Sequence, residues 1–357
     1  MCKLNKLGYS LRDVAVVQAP VSFQNHRSDV SPYIEICNRE SYPIFVAPMA
    51  SVTDENNWQI WTNNKLGTII PRSVQTRLTI EQRMKLATKT FVSFSLQEAQ
   101  TDVFNYIYKH RNHYYYICID IAHGTLSNLY DTCLRFKTFP VEIMTGNVAN
   151  PEAYCRYADC GIRWMRVGIG GGSRCTSSAN VSIHYPMATL LAEMDKQRNH
   201  YAECHNGNAP TLIVADGGIR WFDDIQKALV LGADAVMCGE IFAKAEEACG
   251  PILYSESLNL VSSGVYSNFP FENAKKFREY YGMSTKQAQL LTGGDGSKTS
   301  EGISKPVSIE YPVAKWVDNM QAYLRSCMTY TNSKLISDLH SAEVIVLGGS
   351  GDTAYRK

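Results

Sequence analysis

Apolar and polar positions alternate along this chain in blocks. Eight short apolar runs occupy residues 44–47, 67–70, 90–94, 115–120, 141–144, 163–167, 211–216 and 234–238. Each has the length and the β-branched and aromatic content of a strand. Longer segments with a helical repeat of apolar positions lie between them, the clearest over 78–88, 151–160, 185–197 and 221–231. Continuously apolar strands separated by single helices indicate a parallel sheet buried on both faces. Eight such units predict an α/β protein, a (β/α)8 TIM barrel built as a single domain over 1–357. The runner-up is an open doubly wound sheet, but no GxGxxG follows the first run. Residues 1–42 read as an N-terminal arm with an amphipathic stretch over 11–17. Residues 284–305 read as a flexible flap and residues 340–357 as a tail.

A parallel barrel carries its function at the C-terminal ends of its strands. Here those ends are polar and glycine-rich. Pro48-Met49-Ala50 follows the first run and Pro71-Arg72-Ser73 the second; Asp120 closes the fourth, and Gly146-Asn147 follows the fifth. The sixth leads into Val167-Gly168-Ile169-Gly170-Gly171-Gly172-Ser173-Arg174-Cys175-Thr176-Ser177-Ser178. Consecutive N–H groups in such a glycine loop make a concavity suited to an anion, and their dipoles favour the thiolate of a cysteine held there. Asp216-Gly217-Gly218 opens the seventh loop and Cys238-Gly239-Glu240 the eighth, the two loops from which barrels most often build a phosphate site. Both glycine sets also suit plain tight turns, and an FMN enzyme would use the same half-pattern. Asp120 suits a ribose or a helix cap, and Asn147 a carboxamide or a turn.

Composition narrows the partners. The formal charge is +1, from 35 basic and 34 acidic side chains, which suggests no nucleic-acid partner. No run is long enough for a membrane span, and the first residues lead into no apolar signal core. Eleven dispersed cysteines without a CxxC pair argue against a disulfide framework or structural zinc and fit a reducing, cytoplasmic setting.

The ordered set Ala47-Pro48-Met49, Asp120-Ile121-Ala122-His123-Gly124, Gly146-Asn147-Val148, Gly170 through Thr176, Asp216-Gly217-Gly218, Tyr281-Gly282-Met283-Ser284 and Glu301-Gly302 resembles the IMP dehydrogenase/GMP reductase family. The resemblance implies that Cys175 attacks C2 of a purine nucleotide monophosphate, with Ser177 and Glu301 handling protons. It implies a substrate wall of Ser173, Asp216, Gly217, Gly218, Gly239, Glu240, Tyr280, Gly282, Met283, Ser284 and Gly302. Asp120, Asn147, Gly168 and Gly170 would face the cofactor. The backbone of Gly170, Gly172 and Cys175 would offer a site for K+, and the assembly would be a homotetramer.

Within the family, no insert-sized segment separates any two strands, and no arginine or tyrosine stands between Met283 and Glu301. Dehydrogenases of the family carry such an insert and an Arg-Tyr pair that activates water. The resemblance therefore points to GMP reductase: NADPH-dependent reductive deamination of GMP to IMP and ammonia through a covalent Cys175–purine intermediate. The alternatives are an NAD-dependent IMP dehydrogenase lacking the regulatory repeats, an FMN-dependent barrel oxidoreductase, and a non-catalytic purine-nucleotide-binding barrel. Lys298 stands where reductases have an arginine, and Ala50 where the family has an aspartate. Glu240 places a carboxylate beside the expected phosphate, where like charges repel.

Overall fold

The structure is a computed structural model that describes residues 7–172, 177–256, 264, 266–282, 285–297, 299 and 302–348, the side chains of Ser177 and Gln287 excepted. Its strands in chain order are β1 (Val14–Val16), β2 (Ile34–Ile36), β3 (Arg39–Ser41), β4 (Ile44–Val46), β5 (Gly67–Ile70), β6 (Phe91–Phe94), β7 (Tyr115–Asp120) and β8 (Val141–Val148). They continue with β9 (Trp164–Val167), β10 (Leu212–Asp216), β11 (Ala235–Cys238), β12 (Ile252–Ser255), β13 (Lys275–Tyr281), β14 (Ser304–Ser308) and β15 (Val344–Val346). Strands β4 to β11 close on themselves as a barrel, with β11 pairing parallel to β4. The (β/α)8 architecture read from the block pattern is the architecture observed.

Side chains two apart on a strand share a face, so every barrel strand sends one set inward and one outward. The inward set includes Phe45, Ile69, Phe91, Tyr116, Met144, Trp164, Val214 and Ala235. Phe45 meets the edges of Phe91 and Trp164 at centroid distances of 6.1 and 5.1 Å. Gly67 makes room for that ring, since a Cβ there would stand 2.6 Å from Phe45 Cδ1. Ile36, from the β2–β3 hairpin, packs into the same cluster and seals the N-terminal end of the barrel. The outward set (Ile44, Val46, Ile70, Val92, Ile117 and Ile119 among them) forms the larger core beneath the helices.

The covering helices include Ile80–Leu86, Ala153–Asp159, Met187–Cys204 and Phe222–Val230, at the positions where the helical repeat had been read. No helix among the described residues is long and apolar enough to cross a membrane.

Two features go beyond the block pattern. Strands β12, β13 and β14 make an antiparallel sheet of their own, which brings Tyr280 and Gly282 to the barrel mouth. The segment read as a flap carries a helix, Lys286–Leu291, tied to the loop after β5 by hydrogen bonds from Gln75 Nε2 to the Thr292 carbonyl and from Thr76 Oγ1 to the Leu291 carbonyl. At the chain's two ends, β1 pairs antiparallel with β15. The stretch read as amphipathic over 11–17 is thus a short 3-10 turn followed by a strand, and its partner lies inside the segment read as a tail.

Trp164 is fully buried in the inward layer, and its indole Nε1 donates to Glu142 Oε1 at 2.6 Å. Trp164→Ala should lower unfolding stability by about 3–5 kcal/mol, read from the denaturant midpoint at unchanged slope.

Candidate active site

The strand parity that packs the interior also builds the site. Tyr116, Cys118 and Asp120 share one face of β7, as do Trp164 and Arg166 on β9 and Val214 and Asp216 on β10. The apolar interior therefore ends, at the C-terminal mouth, in a layer of charge. Arg166 Nη1 donates to Asp120 Oδ1 at 2.6 Å. Its Nε and Nη2 lie 3.0 and 2.9 Å from Asp216 Oδ2. Asn147 Nδ2 donates to the same Asp216 oxygen at 2.8 Å and to the Gly168 carbonyl at 2.9 Å. Arg72 Nε stands 3.8 Å from Asp120 Oδ2. Gly146, on β8, leaves space for this arrangement, because a Cβ there would sit 2.5 Å from the Arg166 carbonyl oxygen.

The electrostatics follow from the layout. Burial pushes the Asp120 carboxyl up, but the Arg166 and Arg72 guanidiniums outweigh it and hold the group below the usual carboxylate range. Burial likewise works against the Arg166 cation, and Asp216 and Asp120 more than offset it. Both groups are charged at neutral pH. Just below, Cys118 Sγ lies 3.9 Å from Arg166 Nη1, yet burial pushes its thiol up to about 12, so it packs rather than reacts. Cys238 is buried and shifted upward in the same way.

Above this layer opens a cavity of about 510 Å3. From the expected substrate wall, Asp216, Gly217, Gly218, Gly239, Glu240, Tyr280 and Gly282 line it; from the expected cofactor side, Asp120, Asn147, Gly168 and Gly170 do. Gly302 does not line it. Cys175, Ser173, Met283, Ser284 and Glu301 lie outside the described residues, as does the side chain of Ser177. Gly170 and Gly172, on the N-terminal side of Cys175, both face the cavity. The Gly170 carbonyl, one of the groups expected to hold K+, accepts from Ser178 Oγ at 3.4 Å. Among the described residues no group of three or more His, Cys, Asp or Glu side chains is placed to hold a metal.

The turn after β11, where a phosphate site was expected, forms part of the cavity wall. A short helix, Glu240–Ala243, starts directly after β11 with Gly239 at its N-cap. Tyr280 Oη packs against Gly239, where a Cβ would be 2.5 Å away. Glu240, in the first turn of that helix, makes no side-chain hydrogen bond or ion pair with any described residue and lines this wall.

Sequence reasoning assigned Asp216 and Asn147 to different ligands, whereas the structure joins them by a hydrogen bond. It gave no role to Arg166 or Arg220 and named Arg72 only as part of a strand end, yet all three line the cavity. For Arg166 the signal was available: an arginine inside the apolar run Trp164-Met165-Arg166-Val167, at the inward parity, has to find buried carboxylates.

A sequence model described as the IMP dehydrogenase / GMP reductase domain matches residues 106–352. Curated relatives include a protein of Methanocaldococcus jannaschii, 29% identical over 66% of this chain and 47% of the relative. Another, from Borreliella burgdorferi, is 30% identical over 62% of this chain and 52% of its own length. A third, from Haemophilus influenzae, is 30% identical over 66% and 46%. The chain spans about half the length of these relatives. All three are named inosine-5'-monophosphate dehydrogenase, which corrects the expectation of a GMP reductase. That expectation rested on what loops lack and on the short stretches Tyr281-Gly282-Met283-Ser284 and Leu324-Arg325-Ser326, all outside the barrel strands, and loops vary most between relatives. The preference for NADPH came with it and is withdrawn together with it. From the matched domain and the barrel-mouth geometry together, the chain belongs to the IMP dehydrogenase / GMP reductase family.

Proposed function

We propose that this barrel oxidises IMP to XMP with NAD. The observation that carries the reading is the ionised row Asp120–Arg166–Asp216 at the foot of a cavity whose walls include the glycine loop leading to Cys175 and the turns after β10 and β11. The names of the curated relatives give it its direction.

Asp216 would accept hydrogen bonds from the ribose hydroxyls, with Oδ1 facing the ligand while Oδ2 is held by Arg166 and Asn147. The backbone of Gly218 and Gly239, with Tyr280, would receive the 5′-phosphate. Cys175, as thiolate, would add to C2 of the hypoxanthine ring, forming a C–S bond and setting up loss of hydride from that carbon. The residues present fit a dinucleotide: Asp120 offers an ionised acceptor for a ribose hydroxyl, and Ile121, Ala122 and Ile169 give an apolar wall beside it. NAD, when bound, supplies the acceptor for the hydride. Loss of hydride leaves a thioimidate between Cys175 and the purine. Water then adds at C2, the C–S bond breaks, and XMP departs with the thiolate restored and a proton released.

Residues 284–300 hold no arginine or tyrosine to activate that water. Glu301, with Ser177, is the remaining acid–base pair, so hydrolysis should be the slow step. Mixing the protein with IMP and NAD should give a rise at 340 nm with a burst of about one equivalent per site before a slower steady rate. Cys175→Ala should lower turnover by at least about a thousandfold. Consumption of NADPH with GMP, and silence with IMP and NAD, would overturn the reading.

Glu240 tunes the same site. Removing its charge in Glu240→Gln should tighten IMP binding about three- to tenfold at low ionic strength, with the gain shrinking as salt is added. A titration of IMP at two salt concentrations checks both the sign and the salt dependence.

A further inference from the structure

One cation at the barrel mouth serves two carboxylates, and in the proposed reaction those carboxylates belong to different ligands. Arg166 reaches Asp120 through Nη1 and Asp216 through Nε and Nη2, so the planar fork is used on both sides at once. All three side chains come from strands rather than loops, and Arg166 and Asp120 are buried. Asn147 holds Asp216 from the far side, and Arg72 stands beside Asp120, so two guanidiniums and two carboxylates alternate across the mouth with their charges balanced. A ligand hydroxyl that draws on one carboxylate changes the share of the guanidinium left for the other. A lysine could not do this, because one ammonium lacks the fork that spans both partners.

We infer that Arg166 is a positioning residue that couples the nucleotide and dinucleotide positions, through Asp216 on one side and Asp120 on the other. This rests on the reading of the site given above. Its signature is an effect at a distance: a change at Asp120, which in that reading touches only the dinucleotide, alters the affinity for IMP when no dinucleotide is present. Without Asp120, Arg166 loses an anchor and turns its whole charge on Asp216, leaving that carboxylate a weaker and less fixed acceptor.

The test is calorimetric titration of IMP alone into wild type, Asp120→Asn, Arg166→Gln and the double variant, with thermal melts to verify folding. Asp120→Asn is nearly isosteric and should weaken IMP about five- to tenfold, a coupling of ordinary size. In the Arg166→Gln background the same change at Asp120 should have no further effect. If Arg166→Gln does not fold, Arg166→Lys takes its place with the same expectation. An Asp120→Asn protein that binds IMP as wild type does would overturn the coupling, as would a loss that persists undiminished without Arg166. Failure of the wild type to bind IMP would overturn the functional reading and the coupling together, whereas wild-type binding with a silent Asp120→Asn overturns the coupling alone.

Discussion

A closed parallel barrel gives each inward side chain a fixed height, and that constraint governs everything else in this molecule. Once Phe45, Phe91, Tyr116, Cys118 and Trp164 fill the interior, the last inward positions at the C-terminal ends of β7, β9 and β10 are Asp120, Arg166 and Asp216. No loop motion is needed to bring them together. Buried ions are costly to desolvate, and a row of this kind persists only where each charge meets its opposite at hydrogen-bonding distance. The aromatic layer below and the charged layer above are one arrangement read at two heights.

Much of this was legible in the chain itself. The eight runs mark the barrel strands to within a residue at most ends, because buried parallel strands are apolar throughout and their boundaries are changes of composition. Strand β8 is the exception: it extends through Thr145-Gly146-Asn147 to Val148, where Thr145 and Gly146 still pair with β7 and β9 and the register with β9 shifts past Asn147. The antiparallel sheet β12–β13–β14 escaped because Lys275–Tyr281 is charged and partly exposed, with no apolar alternation to give it away. The β1–β15 pairing escaped for another reason. Two three-residue strands more than three hundred positions apart leave no local trace of each other.

The site was legible in its parts and not in its wiring. Glycines after strands and acidic residues at strand ends can be seen in one dimension, and most of those named do line the cavity. Which carboxylate shares which cation is a three-dimensional fact, and so is the hydrogen bond that joins Asn147 to Asp216. The choice between reductase and dehydrogenase went astray where the reasoning leaned on segments outside the barrel strands. The lesson is physical: strands fix geometry to fractions of an ångström, while connecting segments are free to drift.

The pairing of β1 with β15 has a topological consequence. Val14 lies opposite Val346, and the Leu347 amide donates to the Asp13 carbonyl at 2.8 Å. A short peptide bridge could therefore splice these two stretches into a ring without disturbing the barrel. The exposed turn at Asn206-Gly207, where a Cβ on the glycine would meet nothing within 4 Å, offers a place to cut that ring open. The molecule is thus a natural candidate for circular permutation, with its reading order changed and its mouth left intact.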